Sequence, residues 1–280
     1  MMKEFLTLPA RAKINWGLEI TGRRSDGYHL IRSLMQQINI ADQVQISRSN
    51  VDVCTCDGLP QDENLAFRAW RGLKQRLGVS QCLDIRIEKH IPFSAGLAGG
   101  SSDGAAVLLG ATRLLDLPVD QKDLLEIGLS LGADIPFCLQ GGACLVEGIG
   151  QVLTPLHQSP TCWLVLANPG FPVSTPQVYQ AYDQLGSTIM PDIQNVQKAL
   201  EQGHPELACR YWGNHLQTAA CQLYPELLTV EKAFRLLGLA SIMSGSGGTF
   251  FAVCSGRAQA EAAAKELKKT LPWAAAAYTV

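Results

Sequence analysis

The chain has 280 residues, 47% hydrophobic and 17% charged, with a formal net charge of −2. That balance excludes a disordered chain, and the length suffices for one large domain or about two smaller ones without disulfide or metal staples. No basic stripe stands out for a nucleic-acid partner, and no apolar run approaches the roughly 20 residues that span a bilayer.

In chain order, residues 13–21 alternate enough for a strand, with Ile14, Trp16, Leu18 and Ile20 on one face. A polar turn at 22–27 contains Asp26-Gly27, and extended stretches follow at 34–40 and 43–47. Asn64 is placed to cap a helix over 65–77, where Phe67, Trp70, Leu73 and Leu77 recur at helical spacing and Gly78 stops it. Leu83, Ile85 and Ile87 alternate with charged residues as a half-buried strand ending near His90. Helices are predicted over 105–115, 120–131, 177–185, 205–223, 225–237 and 258–270, and strands over 162–167, 240–244, 249–254 and 275–280. This mixture has no regular βαβ beat, so the class is α+β. Prolines and polar residues at 154–160 suggest a boundary, giving domains 1–155 and 156–280.

Nine cysteines lie between Cys54 and Cys254, with no zinc spacing after the Cys54-x-Cys56 pair. The first twelve residues carry Lys3, Glu4 and Arg11 and no apolar signal core. Free thiols in a reducing compartment, the cytoplasm, are therefore expected.

The most unusual stretch is Pro92, Phe93, Ser94, Ala95, Gly96, Leu97, Ala98, Gly99, Gly100, Ser101, Ser102, Asp103 and Gly104. Its glycines let backbone approach a ligand, and Ser101 or Ser102 is placed to cap the helix that follows. A helix N-terminus carries unpaired N–H groups and about half a positive charge, so strand, glycine loop and helix together suit a phosphate. There is no Gly-Lys-Ser/Thr, and the spacing Gly96-x-x-Gly99-Gly100 is not the Rossmann fingerprint. A tight strand-to-helix turn with no ligand is the other reading. Asp103 would place a carboxylate beside the anion, or simply stabilise the first helical turn.

The P-x-x-x-G-L-x-G-G-S-S pattern from Pro92 to Ser102 resembles the signature of the GHMP kinases. Pro9-Ala10-Arg11-Ala12-Lys13-Ile14-Asn15 and Ile20-Thr21-Gly22-Arg23-Arg24-Ser25-Asp26-Gly27-Tyr28-His29 are similar to one branch, the 4-diphosphocytidyl-2-C-methyl-D-erythritol kinases of the non-mevalonate isoprenoid pathway. Leu131-Gly132-Ala133-Asp134-Ile135-Pro136-Phe137 resembles its catalytic aspartate motif, and Ser174-Thr175-Pro176-Gln177-Val178-Tyr179 and Met243-Ser244-Gly245-Ser246-Gly247-Gly248 resemble its later motifs. Asn214-His215-Leu216-Gln217 departs from the usual Asn-Asp-Leu-Glu, Trp16 replaces a leucine, and Gly104 replaces an alanine.

The resemblance implies a two-domain fold with its site in the cleft between domains. It also implies transfer of the γ-phosphoryl group of ATP to the 2-hydroxyl of a cytidine diphosphate-linked methylerythritol. Homoserine- or mevalonate-type alcohol kinases, or a non-catalytic ATP-binding module, are the alternatives. Asp134 would be the base, with Lys13 beside it. Taken alone, Asp134 reads as well as a helix-to-strand turn residue, and Lys13 as a surface lysine. Pro92 to Ser102 and Lys89 would hold the nucleotide, although Lys89 alone reads as solvated. Asn15 would meet the methylerythritol part, and Tyr28, His29 and Tyr179 the cytosine, with Thr175 nearby. Tyr28 alone reads as a hairpin residue and Tyr179 as helix core. Mg2+ would ride on the ATP phosphates; Ser102 could touch it, but no carboxylate pair stands out and no metal ligand is assigned. The remaining histidines, His90, His157, His204 and His215, fall in no ligand spacing. The partner is a small molecule, with no nucleic acid and no membrane; a homodimer is left open.

Overall fold

The computed structural model describes residues 5–280. It opens with two long strands, β1 (Phe5–Arg23) and β2 (His29–Ser49), which pair with each other. β2 absorbs both extended stretches anticipated at 34–40 and 43–47. Then come β3 (Val53–Cys56), α1 (Leu65–Leu77), β4 (Cys82–Glu88), α2 (Gly99–Leu115), α3 (Gln121–Leu131) and a short α4 (Ile135–Gln140). β5 (Ala143–Gly148), β6 (Val152–Pro155), β7 (Trp163–Asn168), α5 (Thr175–Leu185), α6 (Ile193–Glu201) and α7 (Pro205–Ala208) follow. The chain continues through α8 (His215–Leu223), α9 (Leu227–Leu236), β8 (Ile242–Met243), β9 (Phe250–Cys254), α10 (Arg257–Leu267) and β10 (Trp273–Tyr278).

The chain forms two compact units, each assembled from separated segments. One takes the described residues up to Ala12 with 40–91 and 98–141; the other takes 13–39, 92–97 and 142–280. These units do not follow a linear division at residue 155, because β1 and β2 each contribute to both.

In the first unit β4 runs antiparallel to the end of β2, from Gln43↔Glu88 to Ser49↔Cys82, and parallel to β3. Leu83, Ile85 and Ile87 turn inward as their alternation requires. Asn64 caps α1 by accepting from the Ala66 N–H at 2.8 Å, and Gly78 ends it in a left-handed conformation. α2 lies close on the sheet because Gly110 has no side chain: a Cβ there would stand 2.5 Å from Ile46 Cδ1 and 2.8 Å from Leu8 Cδ1.

In the second unit the start of β2 pairs with β5, and β5 with β6, all antiparallel. A separate four-stranded sheet has the order β10-β7-β9-β8. Val165, Ala167, Phe250 and Ala252 from its strands share a core with Leu216 and Ala220 of α8, Phe234 of α9 and Ala260 of α10. Trp16 is fully buried, and the cost of its indole N–H is met by Gln36 Oε1 at 2.8 Å.

The helix anticipated over 205–223 is interrupted. α7 stops at Ala208, and α8 starts only after Asn214, whose side chain accepts from the Leu216 N–H. Gly213 packs on Pro191 at this break, where a Cβ would lie 3.2 Å from the proline backbone. The Asn214 amide donates to the carbonyls of Met243 and Gly245 at 2.8 and 2.7 Å. Burying those three bonds outweighs continuing the helix. The divergent His215 and Gln217 also find partners. His215 Nδ1 accepts from the Ile20 N–H at 3.1 Å, and Gln217 Oε1 accepts from the Met243 N–H at 3.1 Å. Burial pushes the His215 pKa down, which keeps the ring neutral.

Candidate active site

The glycine loop is pinned by backbone. The Lys13 N–H donates to the Leu97 carbonyl, the Thr249 N–H to Ala95 and the Val173 N–H to Ser94, at 3.1, 3.1 and 3.3 Å. Gly96 adopts φ 75°, and a Cβ there would strike the Ser244 carbonyl oxygen and stand 2.7 Å from that of Gly247. No other residue fits so close to two carbonyls. The segment from Ser244 to Gly248, part of a motif noted in the sequence, therefore lies directly on the loop.

α2 begins at Gly99, earlier than anticipated, and neither Ser101 nor Ser102 caps it. The residue before it, Ala98, is left-handed with φ 57° and offers no side-chain cap. Ser102 lies inside the helix, its N–H bonded to the Ala98 carbonyl and its hydroxyl to that of Gly99. The N–H groups of Gly99, Gly100 and Ser101 are those an α-helix leaves without an intrahelical partner. Phe93 is exposed, and Pro92 is half-buried.

Lys89 is not a solvated surface residue. Its ammonium is held by Asp42 and by Asp103 Oδ2 at 2.7 Å, and its side chain is 11% exposed. Asp42 also accepts from the His90 and Ile91 N–H groups, at 2.6 and 2.8 Å. Two buried carboxylates thus share one ammonium. Asp42 has the richer set of donors, whereas Asp103 Oδ1 has no hydrogen-bond partner among the described residues. Burial is the largest influence on Asp103 and, with the neighbouring Asp42 charge, outweighs the pull of Lys89, raising its pKa to about 7. Asp103 therefore ties α2 to Lys89, which follows β4.

Lys13 is 3% exposed, which rules out its surface reading. Its Nζ donates to Asn15 Oδ1 at 2.7 Å and to the Gly96 carbonyl at 3.0 Å. Asn15 is fully buried, and its amide donates to Ser33 Oγ at 2.8 Å. The Ser244 hydroxyl donates to Gly96 O at 3.0 Å and contacts Asn15 Oδ1 at 3.3 Å. Asp134 sits at the residue before α4, half-buried, between two helices rather than between a helix and a strand.

Of the three residues expected at the pyrimidine, two are in contact within the second unit. The ring of His29 lies 4.8 Å from that of Tyr179, tilted by 33°. Tyr28 is 61% exposed, at the tip of a turn in which its N–H donates to Asp26 Oδ1 at 3.2 Å. Thr175 shares a 2.6 Å hydrogen bond with Ser246. Sequence reasoning missed Asp183, whose carboxylate takes His29 Nε2 at 2.6 Å and the Arg23 guanidinium at 3.1 Å. Its position four residues after Tyr179 on one face of α5 is the signal that could have found it.

All nine cysteines are free thiols, and burial pushes those of Cys54, Cys209 and Cys221 up to about 12, far from the reactive range.

Residues 64–142 match the GHMP kinases N terminal domain, and residues 189–272 match the GHMP kinases C terminal domain. A 4-diphosphocytidyl-2-C-methyl-D-erythritol kinase of Geobacter metallireducens is 38% identical over 274 residues, 96% of each chain. One of Alkaliphilus oremlandii is 39% identical, covering 93% of this chain and 91% of its own. A crystal structure of 4-(cytidine 5'-diphospho)-2C-methyl-D-erythritol kinase superimposes with TM-score 0.83 and 35% identity, over 98% of this chain and 99% of that one. Homoserine kinase from Cytophaga hutchinsonii, with TM-score 0.76 and 19% identity over 100% and 96% of the two chains, shares the fold alone. The chain belongs to the GHMP kinases, in the family of the 4-diphosphocytidyl-2-C-methyl-D-erythritol kinases.

Proposed function

We propose that the chain transfers the γ-phosphoryl group of ATP to the 2-hydroxyl of 4-diphosphocytidyl-2-C-methyl-D-erythritol. The observation that carries the phosphoryl chemistry is the uncapped first turn of α2. It is preceded by a backbone so tightly seated at Gly96 that only glycine fits. Such a turn offers N–H groups and the positive end of a helix dipole to phosphate oxygens. The substrate itself is taken from the relatives, which match over nearly the whole chain.

Residues 92–102 cradle the nucleotide in this reading, with Lys89 supporting them through its carboxylate partners. The substrate hydroxyl attacks the γ-phosphorus, the bond to the β–γ bridging oxygen breaks, and ADP leaves with that oxygen. Asp134 orients the hydroxyl and accepts its proton late, as a loose transition state permits. Lys13, fixed by Asn15 and Gly96, supplies positive charge against the transferring oxygens. Asn15 contacts the methylerythritol, and Thr175 is a further substrate-binding residue. Tyr28, His29 and Tyr179 receive the pyrimidine, for which aromatic stacking contributes about 1–3 kcal/mol per base.

Mg2+ enters as MgATP. Among the described residues no cluster of three or more His, Cys, Asp or Glu is grouped to hold a metal. No helix among the described residues is long and apolar enough to cross a membrane. The free thiols favour a reducing compartment, and we assign the enzyme to the cytoplasm.

A coupled assay of ADP release across diphosphocytidyl methylerythritol, homoserine and mevalonate tests the assignment. Turnover confined to the first is expected. Equal or better turnover of either other alcohol overturns it.

A further inference from the structure

The contact between His29 and Asp183 has a chemical direction. A carboxylate only accepts hydrogen bonds, so the 2.6 Å contact from Asp183 Oδ1 places the proton on His29 Nε2. A neutral imidazole protonated there has its other nitrogen, Nδ1, as an acceptor. No protein partner of that nitrogen is recorded among the described residues.

Asp183 is itself held in place. Arg23 donates to it at 3.1 Å and, through Nε, to the Gly27 carbonyl at 3.2 Å. The same turn is closed by the Arg24 N–H to the Tyr28 carbonyl at 2.8 Å. One guanidinium therefore ties α5 to the turn that presents Tyr28 and His29. The His29 ring lies 4.8 Å from that of Tyr179 and 6.3 Å from that of Tyr182, nearly perpendicular to the latter, and its side chain is 10% exposed. The ring can neither swing away nor exchange its nitrogens without losing these contacts.

We propose that Asp183 is a specificity-determining positioning residue: it fixes His29 Nδ1 as an acceptor, so the site selects a pyrimidine bearing an exocyclic amino group over its oxo counterpart. The inference rests on the reading that His29 meets the pyrimidine edge, and it deepens that reading by naming what sets the edge chosen. An amino group donates to Nδ1. An oxo group at the same ring position would set one acceptor against another, and such a mismatch leaves two polar groups unpaired. A carboxylate that fixes a histidine tautomer in this way is a recurrent device in enzymes.

The experiment compares the wild type with Asp183→Asn and Asp183→Ala. The substrates are the cytidyl and uridyl forms of the diphospho-methylerythritol compound. Histidine 15N NMR reports the His29 tautomer, and CMP and UMP affinities are measured alongside. The wild type is expected to show the Nε2-protonated form and to favour the cytidyl compound. Both variants are expected to mix tautomers and raise KM for the cytidyl form about tenfold to a hundredfold, with kcat within a few-fold. The cytidyl-to-uridyl ratio of kcat/KM should fall at least tenfold.

A wild-type ring protonated at Nδ1 overturns the proposal, as does an unchanged ratio in both folded variants. Failure of the wild type to phosphorylate the cytidyl compound would instead overturn the function. The tautomer spectrum and the CMP-to-UMP affinity ratio would then decide the role of Asp183 by themselves.

Discussion

Lys13 Nζ donates a 3.0 Å hydrogen bond to the carbonyl oxygen of Gly96, 83 positions further along the chain. The bond joins β1 to the glycine loop, so a charge proposed to act on the phosphoryl group is also part of the seam that holds the loop. Lys13→Met should therefore lower kcat by at least about a hundredfold and destabilise the fold by about 1–3 kcal/mol. Lys13→Arg should not rescue it, because a Cβ on Gly245 would already lie only 3.1 Å from Nζ and the guanidinium fork is wider. Steady-state kinetics and urea denaturation read the two effects separately.

Gly96→Ala introduces a methyl group at φ 75° against two carbonyl oxygens, neither of which can rotate away. The loop must leave the Ser244–Gly248 turn. We expect a loss of more than about 2 kcal/mol of stability and a KM for ATP raised at least tenfold. Unchanged melting and KM would show that the seam does not govern the loop.

Two glycines of α2 should respond oppositely to alanine. At Gly104 a Cβ would meet Ile135 Cδ1 and the Leu65 carbonyl at 3.5 Å, an ordinary contact, so Gly104→Ala should stabilise by about 0.5–1 kcal/mol. At Gly110 the same methyl group would press on Ile46 and Leu8, and Gly110→Ala should destabilise by about 1–3 kcal/mol. Paired thermal melts check both.

Asp103 has a raised pKa when folded, about 7 against 3.8. The folded state therefore holds this proton more tightly than the unfolded one. Its contribution is complete below about pH 4 and is lost as pH rises through about 7. Asp103→Asn keeps the shape and removes the titration. The stability of this variant relative to the wild type should climb between pH 4.5 and 8 by roughly 1 kcal/mol or more. Urea titrations across that range measure it, and a flat difference would contradict it.

Asp134→Asn should leave ATP affinity within a few-fold and cut kcat by about 10²–10⁴, the usual weight of a positioned general base. Single-turnover phosphorylation with binding measured by calorimetry separates the two. Activity within a few-fold of wild type would remove Asp134 from its role.

What the sequence determined by itself was local. α1 was legible to the residue, because Asn64 caps it, Gly78 ends it and the apolar spacing between them admits one helix face. The glycine loop was legible because three glycines and a helix start within nine residues have few structural uses, and the resemblance of its motif set the family. Tertiary structure decided everything that pairs distant residues. Ser101 and Ser102 looked like caps, yet the left-handed Ala98 lets the helix start two residues before Ser101. Lys89 looked solvated until Asp42, 47 positions away, enclosed it. The helix over 205–223 looked continuous until Asn214 found the carbonyls of Met243 and Gly245. The sequence could set Asp183 on the Tyr179 face of α5, but not against His29, 154 positions away. Propensity and spacing act over a few residues, whereas a buried charge or amide is satisfied by whichever partner the packed chain brings within 3 Å, and only the fold selects that partner.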